Sequence, residues 1–145
     1  MEFGSRISRR AHRRVLDLRE KLSGLSGVDA LVPTYRSLFV GYDPLELSFE
    51  ELSLGVEAAG EALFSRARKT PGRQVELPVC YHPSLGPDLA DVAQLHGLAD
   101  EEVVALHTAP LYRVYLLGFT PGFAFLGGLD PRLNTPRLAI PRTRA

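Results

Sequence analysis

The uncharged stretch from Val114 to Leu129 constrains the fold of this chain more than any other feature of its sequence. It runs for 16 residues and contains Pro121 and four glycines. A membrane-spanning helix needs about 20 consecutive apolar residues, and proline or glycine inside a shorter helix costs stability. The stretch therefore predicts a buried strand from Tyr115 to Phe119, then a sharp turn at Pro121 and Gly122, and no membrane span.

The composition is typical of a soluble globular protein. A chain of 145 residues, 45% of them hydrophobic and 23% charged, makes one average domain or two small ones. The 17 basic and 17 acidic residues cancel, which argues against a nucleic-acid binder. One cysteine, Cys80, excludes an internal disulfide and fits a reducing compartment, and no apolar run follows the charged N-terminus as in a signal peptide. We therefore expect a cytoplasmic protein.

Two amphipathic helices with extended chain between them are predicted in the first half. Ser8 can cap the first helix, whose apolar positions recur three or four residues apart: Ala11, Val15, Leu18 and Leu22. The segment "DALVPTYRSLFVGYD" at residues 29–43 alternates around Leu38, Val40 and Tyr42 and predicts a strand or a hairpin pair, with Pro33 marking an edge or a break. Ser48 and Glu51 form the capping box of the second helix. Its apolar stripe is Phe49, Leu52, Val56, Ala59 and Leu63.

The second half begins with an alternating segment, "VELPVCYH" at residues 75–82, that predicts a strand. Two short helices are predicted next, at residues 89–96 and 100–107, and another strand begins at Tyr112. The proline-rich tail predicts loops and one short extended piece. The two predicted strands of the second half therefore have no visible partner strands.

A polar, basic segment with Pro-Gly at its centre, residues 68–74, separates two predicted domains. Residues 1–70 form a small α/β domain. Residues 74–145 form the start of a second domain, which the sequence does not close.

Two segments resemble motifs that bind nucleic acids or nucleotides, but neither fits the residues that such motifs need. The segment Leu89–His107 has a helix-turn-helix pattern, but its second helix begins with three carboxylates, Asp100, Glu101 and Glu102, which phosphates would repel. Those carboxylates suit helix capping and the helix dipole instead. The glycines from 118 to 128 lack the lysine of the P-loop, so ATP would have to bind elsewhere or to another chain.

Few side chains present obvious chemistry. Cys80 and His82 lie two positions apart on a predicted strand and would share a face. Most single cysteines are inert core residues, so His82 is the better site candidate. The four histidines show no metal-ligand spacing, and no metal is expected. After Asp130 the charged residues are all basic, which fits either an anion pocket or a solvated tail: Arg132, Arg137, Arg142 and Arg144.

The residues alone leave two interpretations of the 118–125 turn equally open. Its glycines allow a ligand or a partner chain to approach the backbone closely, which would make the turn the lining of a site. Alternatively, it is an ordinary Pro-Gly turn whose phenylalanines fill a core.

The motif G-F-T-P-G-F-A-F-L-G at residues 118–127 resembles the signature of the family that includes the B subunit of 5-oxoprolinase, KipI and allophanate hydrolase subunit 1. The similarity runs through nearly the whole chain, including "PTYRSLFVGYDP" and the passage from the predicted linker into the second domain. It implies an α+β architecture, in which a small N-terminal α/β domain is followed by a cyclophilin-like β-barrel. The barrel is incomplete here, because family members continue past the "IPR" region through further strands. The opening "MEFGS" is either a leftover of cloning or the end of a family strand.

The resemblance also implies a function. Family members act within an ATP-dependent 5-oxoprolinase, which hydrolyses 5-oxo-L-proline to L-glutamate, together with partner chains that resemble its A and C subunits. Such a chain would be inactive alone, and ATP would be bound by the complex. Two alternatives stay open: a carboxyltransferase or allophanate-hydrolase-type subunit of urea degradation, and a KipI-like inhibitor that binds a histidine kinase.

The site residues are predicted in the light of this resemblance. His82 and Arg142 are the predicted catalytic residues. The predicted substrate-binding residues all belong to the turn: Gly118, Phe119, Thr120, Pro121, Gly122, Phe123 and Phe125.

Overall fold

The computed structural model of the chain describes residues 1–62 and 72–140. Within these residues the helices are α1 (Arg9–Leu22), α2 (Phe49–Glu61), α3 (Leu89–His96) and α4 (Asp100–Thr108). The strands are β1 (Val28–Pro33), β2 (Leu38–Tyr42), β3 (Arg113–Leu117) and β4 (Ala124–Gly127), and Pro131–Leu133 form a 3₁₀ turn. The described chain divides into two compact units, residues 1–62 with 114–126 and residues 72–113 with 127–140. Each unit has its own small apolar core.

Helix α1 forms as its sequence predicts. The side-chain oxygen of Ser8 accepts a hydrogen bond from the backbone N–H of Ala11 at 3.0 Å, which caps the helix. The predicted apolar face is buried, and Val15 and Leu18 are both 0% exposed. Arg19 and Lys21 lie in the last turn, where positive charge suits the helix dipole. The amphipathic helix is confirmed.

Strands β1 and β2 are an antiparallel pair. Of the two alternatives that the sequence left open, a single strand or a pair of strands, the pair is confirmed. Leu31 lies opposite Val40, and Pro33 lies opposite Leu38 at the end of the pairing. Proline cannot donate a hydrogen bond to a neighbouring strand, which explains its place at the strand end. Residues 1–3 extend the pairing at the start of β2, because Phe3 donates its N–H to the carbonyl of Arg36 at 2.7 Å.

Helix α2 carries the predicted capping box. A carboxylate oxygen of Glu51 accepts from the backbone N–H of Ser48 at 2.9 Å, and Ser48 Oγ accepts from the N–H of Glu51 at 3.2 Å. The hydrogen bonds from Ser48 lower the pKa of Glu51. The helix packs against α1, with Leu52 buried and Val56 half-buried in the same core. Leu63 and residues 68–71 of the predicted linker lie outside the described residues.

Helices α3 and α4 confirm the two short helices predicted in the second half. Gly97 ends α3 in the left-handed conformation, with φ +65°. Glu102 caps α4 by accepting from the N–H of Ala99 at 2.9 Å, so an acidic first turn stabilises the helix start. Ala93, Val103 and Leu133 of the 3₁₀ turn form the core of this unit.

The prediction of a strand at residues 75–82 is wrong. No strand is present there, and its three alternating apolar side chains are exposed: Val75 by 58%, Leu77 by 73% and Val79 by 55%. The alternation is correct for a strand, but a strand also needs a hydrogen-bonding neighbour. None of the described residues provides one, so an apolar row faces solvent.

The architecture is therefore mixed, with four helices and two sheets of two strands each in the described residues. This confirms the α+β class, while no strands in the described residues close into a barrel. Residues 114–126 group with the first unit, and the domain division at residues 70 and 74 stays a prediction. Across the described residues, no helix combines the length and the apolar character that crossing a membrane requires.

We expect Gly27→Ala to lower the free energy of unfolding by about 1–2 kcal/mol through its backbone alone. Gly27 has φ +80°, and a Cβ built there would lie 2.7 Å from the Cβ of Leu47, which adds a steric cost. Gly24→Ala is the matched control, because no atom lies within 4 Å of its added Cβ. Urea denaturation of the two variants measures the difference, and an equal loss in both would contradict this account of Gly27.

Candidate functional site

The loop that joins β3 to β4, residues 118–123, contains the predicted turn. Phe123 donates its N–H to the carbonyl of Thr120 at 3.0 Å and closes a four-residue turn. Pro121 occupies its second position and Gly122 its third, with φ +80°, as a type II turn requires. Gly118 donates to the carbonyl of Phe123 at 3.1 Å and continues the strand pairing into the loop. The turn at Pro121 and Gly122 is confirmed.

The strand before this loop differs from the prediction of a buried strand up to Phe119. Strand β3 ends at Leu117, which is 62% exposed, and Phe119 is 88% exposed. Phe119 has φ +69°, in the left-handed region that an aromatic residue rarely adopts, so its backbone breaks the strand. Such conformations cost about 1–3 kcal/mol and persist only where the surrounding structure holds them. An exposed Phe119 does not fill a core, which favours the interpretation of the loop as a site.

The loop leaves two backbone donors unused. Three of its amides donate hydrogen bonds inside the loop: those of Gly118, Thr120 and Phe123. Pro121 has no N–H. Within the described residues no backbone hydrogen bond engages the N–H of Phe119 or of Gly122. These two amides are therefore the loop's candidates for holding an oxygen of a ligand.

A series of aromatic rings leads from the loop into the first unit. Successive ring centroids are 4.7 to 6.4 Å apart along Phe119, Phe123, Phe125, Tyr35, Tyr115 and His12. Tilted and edge-on contacts of this kind stabilise aromatic pairs beyond their buried area. The rings therefore connect the exposed loop to the buried face of α1.

His12 is the buried end of this series and is 2% exposed. Its Nε2 lies 2.8 Å from the carbonyl oxygen of Tyr115 on β3. A carbonyl can only accept, so Nε2 carries the proton and donates it. The sequence analysis missed this hydrogen bond. The spacing was a signal for it, because His12 lies three positions before buried Val15 and thus on the buried side of the helix.

The predicted catalytic residue His82 lies in the second unit and is exposed. Its carbonyl accepts hydrogen bonds from the N–H groups of Leu85 and Gly86, both at 2.8 Å, which close a tight turn. Ring atom Nδ1 lies 2.8 Å from Oγ of Ser84 and 3.3 Å from the N–H of Ser84. Cys80 is exposed as well, so the interpretation of Cys80 as a core residue is wrong.

A tyrosine-histidine cluster precedes and supports this turn. The hydroxyl of Tyr81 lies 2.5 Å from Nδ1 of His107 on α4, and Tyr112 donates its hydroxyl to the carbonyl of His107 at 2.8 Å. Burial raises the pKa of Tyr81. Burial is also the main cause of the raised pKa of Tyr112, to which the charges of Tyr81 and Asp130 add. The contact with His107 thus holds Tyr81, the residue that precedes His82.

The basic tail offers fewer free cations than its sequence indicates. Both carboxylate oxygens of Asp130 accept from the side chain of Arg132, at 3.1 and 2.9 Å. Arg132 is therefore paired, and the predicted catalytic residue Arg142 lies outside the described residues. Within residues 1–62 and 72–140, no three His, Cys, Asp or Glu side chains come close enough together to hold a metal ion.

We expect Arg132→Gln to raise the pKa of Asp130 from about 2 toward its ordinary 3.8, because hydrogen bonds from Arg132 are the main cause of the low value. The backbone N–H of residue 132 also contributes and survives, so recovery is partial. Since the pKa is depressed on folding, the ion pair contributes fully above pH 3.8 and is lost as pH falls through about 2. A carbon-13 NMR titration of Asp130 measures this, with Arg137→Gln as control. An unchanged midpoint in Arg132→Gln would contradict the assignment.

The structure thus brings all predicted substrate-binding residues into one loop and its first following strand, in the first unit. The chain belongs to the family described as carboxyltransferase domain, subdomain C and D, whose match covers residues 1–145. This confirms the resemblance drawn from the sequence.

Named relatives give the family a more specific context. The chain is 39% identical to the 5-oxoprolinase B subunit of Bacillus subtilis, covering 77% of this chain and 50% of that protein. It is 38% identical to the 5-oxoprolinase B subunit of Haemophilus influenzae, covering 75% of this chain and 47% of that protein. A crystal structure of TTHA0988 has a TM-score of 0.82 and 43% identity, covering 98% of this chain and 28% of that one. The chain spans about half the length of the curated relatives it matches.

Proposed function

We propose that the chain is a subunit of an ATP-dependent 5-oxoprolinase that hydrolyses 5-oxo-L-proline to L-glutamate. The family match over residues 1–145, with relatives named as the B subunit of 5-oxoprolinase at 39% and 38% identity, carries this proposal. The partners are chains that resemble the A and C subunits of that enzyme, and the chain is inactive without them. Its exposed free cysteine suits a reducing compartment, so the complex works in the cytoplasm.

The proposed reaction activates the lactam before water attacks it. The lactam oxygen takes the γ-phosphoryl group of ATP, and ADP leaves. Water then adds to the ring carbon, and the carbon–nitrogen bond breaks as nitrogen takes a proton, which leaves an acyl phosphate. A second water cleaves the acyl phosphate and releases L-glutamate and inorganic phosphate. Because the chain has no P-loop, ATP is held by the complex.

This chain's own residues would bind and orient the substrate. The free N–H groups of Phe119 and Gly122 are the proposed donors to a substrate oxygen, because fixed backbone donors stabilise developing negative charge. The rings of Phe123 and Phe125 would shield that oxygen from water. Arg142 is the proposed partner of the substrate carboxylate, since guanidinium binds carboxylates bidentately.

The second unit is proposed to belong to a cyclophilin-like barrel. Support comes from residues 75–79, whose alternating apolar side chains are exposed and have no strand partner in the described chain. Pairing with further strands would cover that row. Hydrogen exchange at residues 75–79 should therefore slow in the assembled complex, whereas equal exchange free and assembled would count against the barrel.

The function is tested by glutamate release from 5-oxo-L-proline and ATP, using the chain purified with its partner chains. Omitting the chain should abolish release. Arg142→Ala should raise KM or lower kcat at least about tenfold, which corresponds to about 1.4 kcal/mol. Arg137→Ala is the control, because Arg137 is assigned no role. Unchanged turnover in Arg142→Ala would remove Arg142 from the site.

A further inference from the structure

The turn at residues 82–86 fixes which ring nitrogen of His82 carries its proton. The backbone N–H of Ser84 points at Nδ1 of His82 at 3.3 Å, and Ser84 Oγ lies 2.8 Å from the same atom. An amide N–H can only donate, so Nδ1 presents its lone pair to Ser84. A neutral imidazole has one ring proton, which must then sit on Nε2.

Nε2 is the atom that His82 can offer to a ligand. His82 is exposed, and no hydrogen bond within the described residues engages its Nε2. The residue before it, Tyr81, is tied to His107, and the turn behind it is closed by Leu85 and Gly86. The backbone at His82 is thus held from both sides, and the contacts of Nδ1 with Ser84 orient the ring.

We infer that His82 acts in the reaction as a hydrogen-bond donor through Nε2, and not as a proton acceptor. A general base needs its lone pair on the atom that faces the substrate, and here the lone pair faces Ser84. The inference rests on the proposed function, whose substrate offers the matching chemistry: a carboxylate oxygen and a lactam oxygen.

Two variants of His82 separate the donor from the base in the complete complex. Glutamine places an amide N–H close to the position of Nε2, so His82→Gln should keep turnover within about tenfold of wild type. Asparagine can still accept from Ser84 and keep the turn, but it removes the outward donor. His82→Asn should therefore lower turnover about 10²–10³-fold, which is the usual effect of removing one donor to a developing oxyanion. A loss in kcat assigns the lactam oxygen, and a rise in KM alone assigns the carboxylate.

Nitrogen-15 NMR of the chain provides a readout that does not depend on activity. The Nε2–H form of His82 should predominate in wild type and in Ser84→Ala, which keeps the backbone donor. A predominant Nδ1–H form would overturn the inference, and so would His82→Gln as inactive as His82→Asn. If wild type shows the Nε2–H form yet the complex releases no glutamate, the proposed function fails, and with it the role of His82 in that reaction.

Discussion

Leu18→Ala is expected to lower the free energy of unfolding by about 2–5 kcal/mol, the range for removing a buried leucine side chain. Leu18 is 0% exposed on α1 and packs in the core with Val15, Leu22 and Leu38. The substitution removes apolar contact area and leaves a cavity that neighbouring side chains fill only in part. Because small domains are stable by only about 5–15 kcal/mol, this is a large share of the total.

Leu54→Ala is the matched control, since it makes the same chemical change on α2 at a side chain that is 64% exposed. It should change the free energy of unfolding by less than about 0.5 kcal/mol, as surface substitutions do. Urea denaturation followed by circular dichroism measures both variants. Similar losses for Leu18→Ala and Leu54→Ala would mean that the face of α1 that carries Leu18 is not the core.

His12→Leu is expected to lower the free energy of unfolding by about 1–3 kcal/mol, the cost of leaving a buried polar group unpaired. Leucine is apolar and fits a buried helix face, so the loss comes mainly from the carbonyl of Tyr115, which loses its donor at 2.8 Å. The same change removes a tie between α1 and β3, the strand that leads into the 118–123 loop. Hydrogen exchange at residues 114–117 should therefore speed up together with the loss of stability.

His12→Gln is the control, because its side-chain amide can donate from nearly the same position as Nε2. It should recover much of the stability and of the protection of β3. If His12→Gln and His12→Leu are equally destabilised, or if β3 exchanges at the wild-type rate in His12→Leu, the hydrogen bond is not what ties the strand to the helix.

The local elements could be predicted because short-range rules determine them. Ser8, Ser48 and Glu51 set helix starts through hydrogen bonds across three residues, and Gly97 ends a helix because glycine adopts positive φ without strain. The Pro121-Gly122 turn follows from the same kind of rule. Each of these signals sits within a few residues of the structure that it determines.

The errors arose where structure depends on distant partners. The alternation of residues 75–82 is typical of a strand, yet a strand forms only beside another, and the described chain provides none. The exposure and positive φ of Phe119 contradict its apolar character and its place after a strand, and no sequence pattern announces a strained position.

The candidate site likewise has a part that local sequence predicts and a part that depends on distant residues. Its loop was recognisable from one continuous motif, residues 118–127, and the loop geometry then narrowed the donors to Phe119 and Gly122. The contact of His12 with Tyr115, next to the loop, and the contact of Tyr81 with His107, next to His82, span 103 and 26 residues of sequence. Pairings at such separations leave no local pattern, so only the structure could reveal them.

The most direct test of the account is glutamate formation from 5-oxo-L-proline by the chain co-expressed and purified with the products of its neighbouring genes. We predict release that requires ATP, one ADP formed for each glutamate, and no release from the partners without this chain. The proposed function would be contradicted by one result. The complex would assemble with the chain, yet hydrolyse no 5-oxo-L-proline in the presence of ATP and behave as the partners do alone.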